Sequence, residues 1–220
     1  MAFKLFWNTV DPLLASSFAK LMKAKELASF RLVGGTALSL YRGHRKSMDI
    51  DLFTGAPYDS IDFDLIDAYL RNDFAYVDTF DFKGVGLGRP YFIGSSKYEA
   101  FKLDLFYSEP FIRPMLEIDN LRIANVSDIV AMKIQVICTG ARKKDFWDLH
   151  EELDHFTIPE MIALHAERYP DDHDEQKIRA GLINFSIADD DFEPICLKGK
   201  YWELIKLDFM EALGQPFKSI

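Results

Sequence analysis

Three aspartates lie in two short segments of the same form, Asp49 and Asp51 in "MDIDLF" and Asp104 in "FKLDLF". The alternation predicts a strand in each, and on a strand residues two apart project from one face. Asp49, Asp51 and Phe53 therefore share a side, while Ile50 and Leu52 turn to the core. Carboxylates about 6–7 Å apart along a strand can converge on Mg²⁺, a hard cation that takes oxygen ligands. Without a cation they repel each other. Taken alone, the first segment equally suits an edge strand with an acidic solvent side. The second segment adds a third acid in the same pattern, with Leu103 and Leu105 inward. Two-metal phosphoryl transfer needs such a set, because ions about 3.5–4 Å apart clamp both the attacking and the leaving oxygen. Asp104 could also accept the proton of the attacking hydroxyl.

Upstream, Gly34-Gly35 ends the strand "FRLV" and opens the short helix "TALSLYRG", with Thr36 expected as N-cap and Gly43 as the stop. Glycines at a helix N-terminus let backbone N–H groups approach phosphate oxygens without Cβ interference. Thr36, Arg45 and Ser47 add hydroxyl and guanidinium donors. A lone Gly-Gly before a helix is usually a turn; beside the acids it reads as the anion half of a metal–triphosphate site.

The order Gly-Gly, helix, then Arg45-x-Ser47-x-Asp49-x-Asp51-x-Phe53 resembles the nucleotidyltransferase superfamily that includes DNA polymerase β. "GGTALSLYRGHRKSMDIDLF" looks in particular like its AbiEii/AbiGii toxin branch. A second block, "DIVAMKIQVICTGARKKDFWDL", is similar to that branch's segment carrying Lys133, Arg142, Lys144, Asp145 and Asp148. The resemblance covers most of the chain. It implies that Gly34, Gly35 and Ser47 contact the triphosphate, that Asp49 and Asp51 hold Mg²⁺, that Lys133 binds nucleotide phosphate, and that Asp145 is a further active-site residue. Asp104 as third metal ligand rests mainly on the strand pattern. The bland readings are a mostly exposed Lys133 on an apolar helix, and Asp145 and Asp148 as exposed neighbours pairing with Arg142 and Lys144. The basic clusters "RGHRK" and "RKK" would give the site a basic mouth on an acidic protein, suited to a nucleotide or a nucleic-acid end.

The elements that must position these residues are legible in outline. Amphipathic spacing predicts a helix over 10–29, and another is expected over 61–73. Strands are expected at "AYVDTFDF", "RPYFIG" and "FKLDLFY", and a hairpin around Asp119-Asn120. "GVGLG" leads into a strand and reads as a hairpin loop. Ser127 should cap a helix ending near Gly140. "TIPE" matches a capping box, and further helices follow. The fold class expected is α/β (α+β): a nucleotidyltransferase core with a mixed sheet flanked by helices over 1–125, and a mainly helical region over 126–220 completing the cleft. "HEELDH" is not a zinc motif, since His150 and His155 are five apart and cannot share a helix face.

A net charge of −9 argues against a general nucleic-acid coat or membrane-surface binder. With only Cys138 and Cys196 and no apolar run of membrane length, a soluble cytoplasmic protein is expected. The expected reaction moves a nucleoside monophosphate from an NTP to an acceptor hydroxyl with Mg²⁺. By resemblance the protein is the toxin half of a bacterial toxin–antitoxin or phage-defence pair, with RNA such as tRNA as acceptor and a cognate antitoxin as partner. The alternatives are a small-molecule, antibiotic-type nucleotidyltransferase and a catalytically idle member that binds nucleotide or a partner protein.

Overall fold

The protein is described by a computed structural model over residues 4–79 and 86–214. A 3₁₀ turn, Trp7–Thr9, leads to α1 (Pro12–Leu21), β1 (Arg31–Val33), α2 (Gly34–Arg42) and β2 (Ile50–Thr54). Then come α3 (Phe63–Asp73), β3 (Tyr76–Thr79), β4 (Gly88–Ser96), β5 (Glu99–Tyr107), β6 (Leu116–Ile118) and β7 (Leu121–Ile123). The remainder is helical: α4 (Val126–Gly140), α5 (Lys143–Glu152), α6 (Ile158–Arg168), α7 (Glu175–Gly181), α8 (Ser186–Asp189) and α9 (Trp202–Ala212). The expected strand end at Phe80–Phe82, and Gly84 and Val85 of the glycine-rich loop, lie outside the described residues.

One mixed sheet of seven strands runs β3-β4-β5-β2-β1-β7-β6, so the α/β class holds. β2 and β5 are parallel, as are β1 and β7, and the other neighbours are antiparallel. Inward residues of β2 and β5 (Ile50, Leu52, Leu103, Leu105) pack with Leu14, Phe18 and Leu21 of α1 and Ile66 and Leu70 of α3. A second apolar cluster joins Ile134 of α4, Phe146 and Trp147 of α5, Met161 of α6 and Trp202 and Phe209 of α9. α4 serves both, Ile129 facing the first and Val130 the second.

Local chemistry explains most boundaries. Asp11 caps α1 with Pro12 at its first position, so this helix starts where expected. It stops at Leu21, and the apolar residues after it, including buried Leu27, sit in turns. Asn125, not Ser127, caps α4, its side chain accepting from the Ser127 N–H. Thr157 and Glu160 form the capping box of α6. Asp119 and Asn120 both take positive φ (51° and 64°), the hairpin geometry that Asx residues tolerate.

Across the helical part, His165 of α6 is fully enclosed, with Nε2 2.7 Å from Gln135 Oε1 and Nδ1 3.0 Å from His173 Nδ1. Burial, and then the neighbouring His173, push His165 down to about 4. A histidine depressed in the folded state is neutral there but takes a proton near pH 6.5 when unfolded. Stability should therefore fall as pH drops from ~6.5 towards ~4. Melting curves across that window should show a drop that shrinks in His165→Gln; an equal drop in the variant would assign it to other groups.

Candidate active site

The register of two strands builds the site. β2 and β5 run parallel with Asp51 opposite Asp104 and Phe53 opposite Phe106. Paired residues on neighbouring strands, about 4.8 Å apart, project from the same face. Asp51 and Asp104 therefore stand side by side, with the Phe53 and Phe106 rings 5.9 Å apart beyond them. Asp49 lies just before β2. On the other flank, β1 pairs antiparallel with β2 and sets Val33 opposite Asp51, so Gly34 begins α2 directly beside that carboxylate.

The double glycine has a packing reason at each position. Gly34 has φ +68°, and a Cβ there would lie 2.2 Å from Asp51 Oδ2. A Cβ on Gly35 would lie 2.0 Å from Arg45 Nη2. The glycines thus make room for the site's own acid and guanidinium, beyond any room they make for a phosphate. Gly34→Ala should cost roughly 1–2 kcal/mol for its left-handed backbone and also displace Asp51. Expected are a folded protein with a lowered melting temperature and at least tenfold slower transfer; unaltered transfer kinetics would show that Asp51 tolerates displacement.

Thr36 is not the N-cap: α2 already begins at Gly34, so Val33 holds that place. Thr36 is buried and its hydroxyl meets Ser47 Oγ at 2.7 Å and the Asp49 carbonyl, so it braces the approach to β2 instead of facing the cavity. The cavity, about 220 Å³, is lined by Gly34, Gly35, Arg45, Ser47, Asp49 and Asp51 from the sheet side, and by Met132 and Lys133 of α4 and Lys144 and Asp145 of α5.

Lys133 corrects the expectation of an exposed lysine. It is 6% exposed, and its Nζ lies 2.6 Å from Asp145 Oδ1 and 2.7 Å from Asp148 Oδ2. Arg45 grips Asp148 through Nε (2.6 Å) and Nη2 (2.8 Å), and His44 Nε2 adds a contact at 2.8 Å. Burial opposes ionisation of Asp148, yet Arg45 and Lys133 outweigh it and hold the carboxyl well below the usual range. Burial likewise opposes the charge on Lys133, but Asp145 and Asp148 raise it above an ordinary lysine. Asp145 and Asp148 are consequently buried parts of an ion network and not exposed neighbours of Arg142 and Lys144. Asp145 also accepts from the Arg142 backbone N–H at the start of α5. This network joins the two sequence blocks, since Arg45 and Asp148 are 103 residues apart.

The basic mouth shrinks accordingly. Arg42 is held by Glu152, Arg45 by Asp148, Arg142 by Asp191, and Lys143 lies over the Trp202 ring. Among the described residues lining the cavity, Lys144 is a loosely held cation, its Nζ 3.7 Å from Asp49 Oδ2. It stands in the second block and in the "RKK" cluster expected at the mouth, without an individual role assigned there. The adjacency to Asp145 was the available signal.

The donor set suits a hard divalent cation. Burial, then the adjacent Asp104, push Asp51 up to about 6, so its charge lacks full compensation. Asp104 Oδ1 is buried without a hydrogen-bond partner among the described residues, while Oδ2 takes Lys102 Nζ at 2.6 Å. As the side chains stand, the described residues contain no group of three or more His, Cys, Asp or Glu gathered to grip a metal. Asp49 is turned towards Lys144, and Asp104 towards Lys102.

In-register acids on a mixed sheet, facing a glycine-started helix, suit metal-assisted phosphoryl transfer. Residues 18–217 match the family model "Nucleotidyl transferase AbiEii toxin, Type IV TA system". The chain belongs to this family of toxin nucleotidyltransferases. Membership implies an NTP substrate and an antitoxin partner. Among solved structures, MenT4, a nucleotidyltransferase toxin of Mycobacterium tuberculosis H37Rv, shares the fold at TM-score 0.55 and 13% identity, over 92% of this chain and 86% of that one. JHP933 from Helicobacter pylori shares it at TM-score 0.52 and 20% identity, over 91% and 90%. No curated protein matches the sequence. Among the described residues no helix is long and apolar enough to cross a membrane.

Proposed function

We propose that the protein transfers a nucleoside monophosphate from an NTP to an acceptor hydroxyl, with Asp49, Asp51 and Asp104 holding Mg²⁺. The observation that carries this reading is the in-register pairing of Asp51 with Asp104 beside a cavity lined by Gly34, Gly35, Ser47 and Lys144. When bound, a pair of Mg²⁺ ions would neutralise phosphate charge and stabilise the attacking and leaving oxygens. The chain's own groups do the rest. The first amides of α2 lack helical partners and present N–H donors to phosphate oxygens, aided by the Ser47 hydroxyl. Lys144 exchanges its long contact with Asp49 for the triphosphate. Arg45, Lys133 and Asp145 keep α4 and α5 seated against the sheet, and Lys133 adds positive potential to the cavity wall. Asp104 Oδ1, buried and unpartnered, takes the acceptor proton as the new O–P bond forms. The α–β phosphoanhydride bond breaks and pyrophosphate leaves with its electron pair.

In this reading residues 1–125 form the catalytic core and residues 126–220 close the cleft. The acceptor is an RNA, tRNA among the candidates, and the setting is the bacterial cytoplasm, in a toxin–antitoxin or phage-defence pair. Purified protein with labelled NTP, Mg²⁺ and either total RNA or small hydroxyl compounds tests it. Label moving to RNA is expected. Label moving to small compounds instead would make it an antibiotic-type enzyme, and nucleotide binding without transfer an idle member.

A further inference from the structure

One thiol lies outside the cavity of the aspartates. Cys196 is half-buried on the segment between α8 and α9, and the backbone N–H groups of Lys198 and Lys200 each donate to its Sγ at 3.4 Å. Gly199, with φ +67°, makes the turn that aims both amides at the sulfur. A further donor faces it from α5. Trp147 is 1% exposed, and its Nε1–H has no hydrogen-bond partner among the described residues. That N–H is turned towards Cys196 and favours the thiolate. We propose that Cys196 is a modification site, a nested thiolate that takes an oxygen atom from a peroxide.

The two cysteines are set up oppositely. Burial pushes the Cys138 thiol up, and Lys177 offsets this only in part. Burial also opposes the charge on Cys196, but the Lys198 and Lys200 amides, then Trp147 and the Gly199 amide, outweigh it and hold the thiol below its ordinary value. The thiolate is the nucleophile, so reactivity follows this difference. The neighbouring ammonium groups are engaged elsewhere: those of Lys198 and Lys200 both meet Glu151, and Lys200 also meets His150 Nδ1 at 2.8 Å. The thiolate is therefore held by fixed backbone and indole N–H dipoles.

Trp147 identifies oxygen as what the site accommodates. Sulfur is a weak acceptor, and a buried donor left unsatisfied is costly. An oxygen bonded to Sγ is a stronger acceptor and reaches beyond the sulfur towards that N–H. The step balances: Sγ attacks one peroxide oxygen, an S–O bond forms, the O–O bond breaks, and hydroxide leaves with the electron pair and is protonated to water. Sulfur is oxidised to the sulfenic acid and the peroxide is reduced. The modified segment is paired with the wall of the nucleotide cavity. Cys196 bridges Arg45, the Leu197 N–H donates to the His44 carbonyl at 2.8 Å, and the Lys46 N–H donates to the Ile195 carbonyl at 2.9 Å. Arg45 is the residue that grips Asp148.

The test uses the full chain, reduced and then treated with one equivalent of hydrogen peroxide in the presence of dimedone, which traps sulfenic acids. Peptide mass spectrometry should find the adduct on Cys196 in roughly tenfold excess or more over Cys138. Iodoacetamide labelling of Cys196, followed against pH, should give a midpoint below that of the same cysteine in the urea-unfolded chain. Trp147→Phe keeps an aromatic ring in place and, with its fold checked by circular dichroism, should lower the adduct yield by roughly threefold or more. Equal adducts on both cysteines, or adducts on neither, overturn the proposal. So does a Cys196 midpoint at or above the unfolded value. Those two measurements need no variant, so they decide the question even where the tryptophan change unfolds the chain. An unaltered yield in folded Trp147→Phe overturns the assignment of Trp147 as the partner of the oxygen.

Discussion

Lys133→Ala should lower stability by about 3–5 kcal/mol, the effect of removing one partner from a buried ion pair. At roughly 2–4 °C per kcal/mol for a chain of this size, the melting temperature should fall by on the order of 10 °C. The size follows from what stays behind. Asp145 and Asp148 are both buried, and the ammonium sits 2.6 and 2.7 Å from them. Asp148 would keep Arg45 and His44, but Asp145 would lose the ammonium that pairs with it among the described residues. A surface lysine would change stability by no more than about 0.5 kcal/mol. Thermal denaturation of Lys133→Ala beside Lys133→Ala/Asp145→Asn resolves the cause, because the second change removes the stranded charge and should restore part of the loss. Transfer should collapse in Lys133→Ala and recover poorly in the double variant, since the cavity wall loses its positive charge in both.

The contrast with the sequence reading is physical. The acids announced themselves through strand alternation, a local signal that survives folding: β2 and β5 do bury Ile50, Leu52, Leu103 and Leu105 and leave Asp51 and Asp104 on the other face. The hairpin at Asp119-Asn120 and the capping box at Thr157 are equally local. Burial of Lys133 is not, because it depends on α5 delivering Asp145 and Asp148 to α4. Along the helix, Lys133 interrupts an apolar run and looks like a solvated residue. The basic clusters misled for the same reason, since Glu152, Asp148 and Asp191, which neutralise them, lie far along the chain. Thr36 was misplaced by a different rule: a threonine near a helix start is commonly the cap, but Gly34 in the left-handed region starts α2 two residues earlier.

Asp49→Asn/Asp51→Asn should reduce nucleotidyl transfer by several orders of magnitude while leaving the fold intact. Asp51 is pushed up to about 6 by burial and then by Asp104, so in metal-free protein its ionised form is disfavoured. The sign follows: a carboxyl raised above its unfolded value loses stability as pH climbs from about 4 through about 6. At pH 8 and without metal, the double variant should therefore melt no lower than the parent, and higher if the repulsion is released in full. Two exposed acids on an idle edge strand would instead leave both stability and transfer close to the parent's.

The most direct test is a thermal-shift titration of parent and Asp49→Asn/Asp51→Asn with Mg²⁺–NTP at pH 8. Ligand stabilisation grows as RT ln(1 + [L]/Kd), so the parent should gain about 2.7 kcal/mol at a ligand concentration a hundredfold above Kd. The account predicts that this gain disappears in the double variant and that removing Mg²⁺ from the parent has the same effect. A double variant stabilised as strongly as the parent would contradict it, because Asp49 and Asp51 would then hold neither metal nor nucleotide.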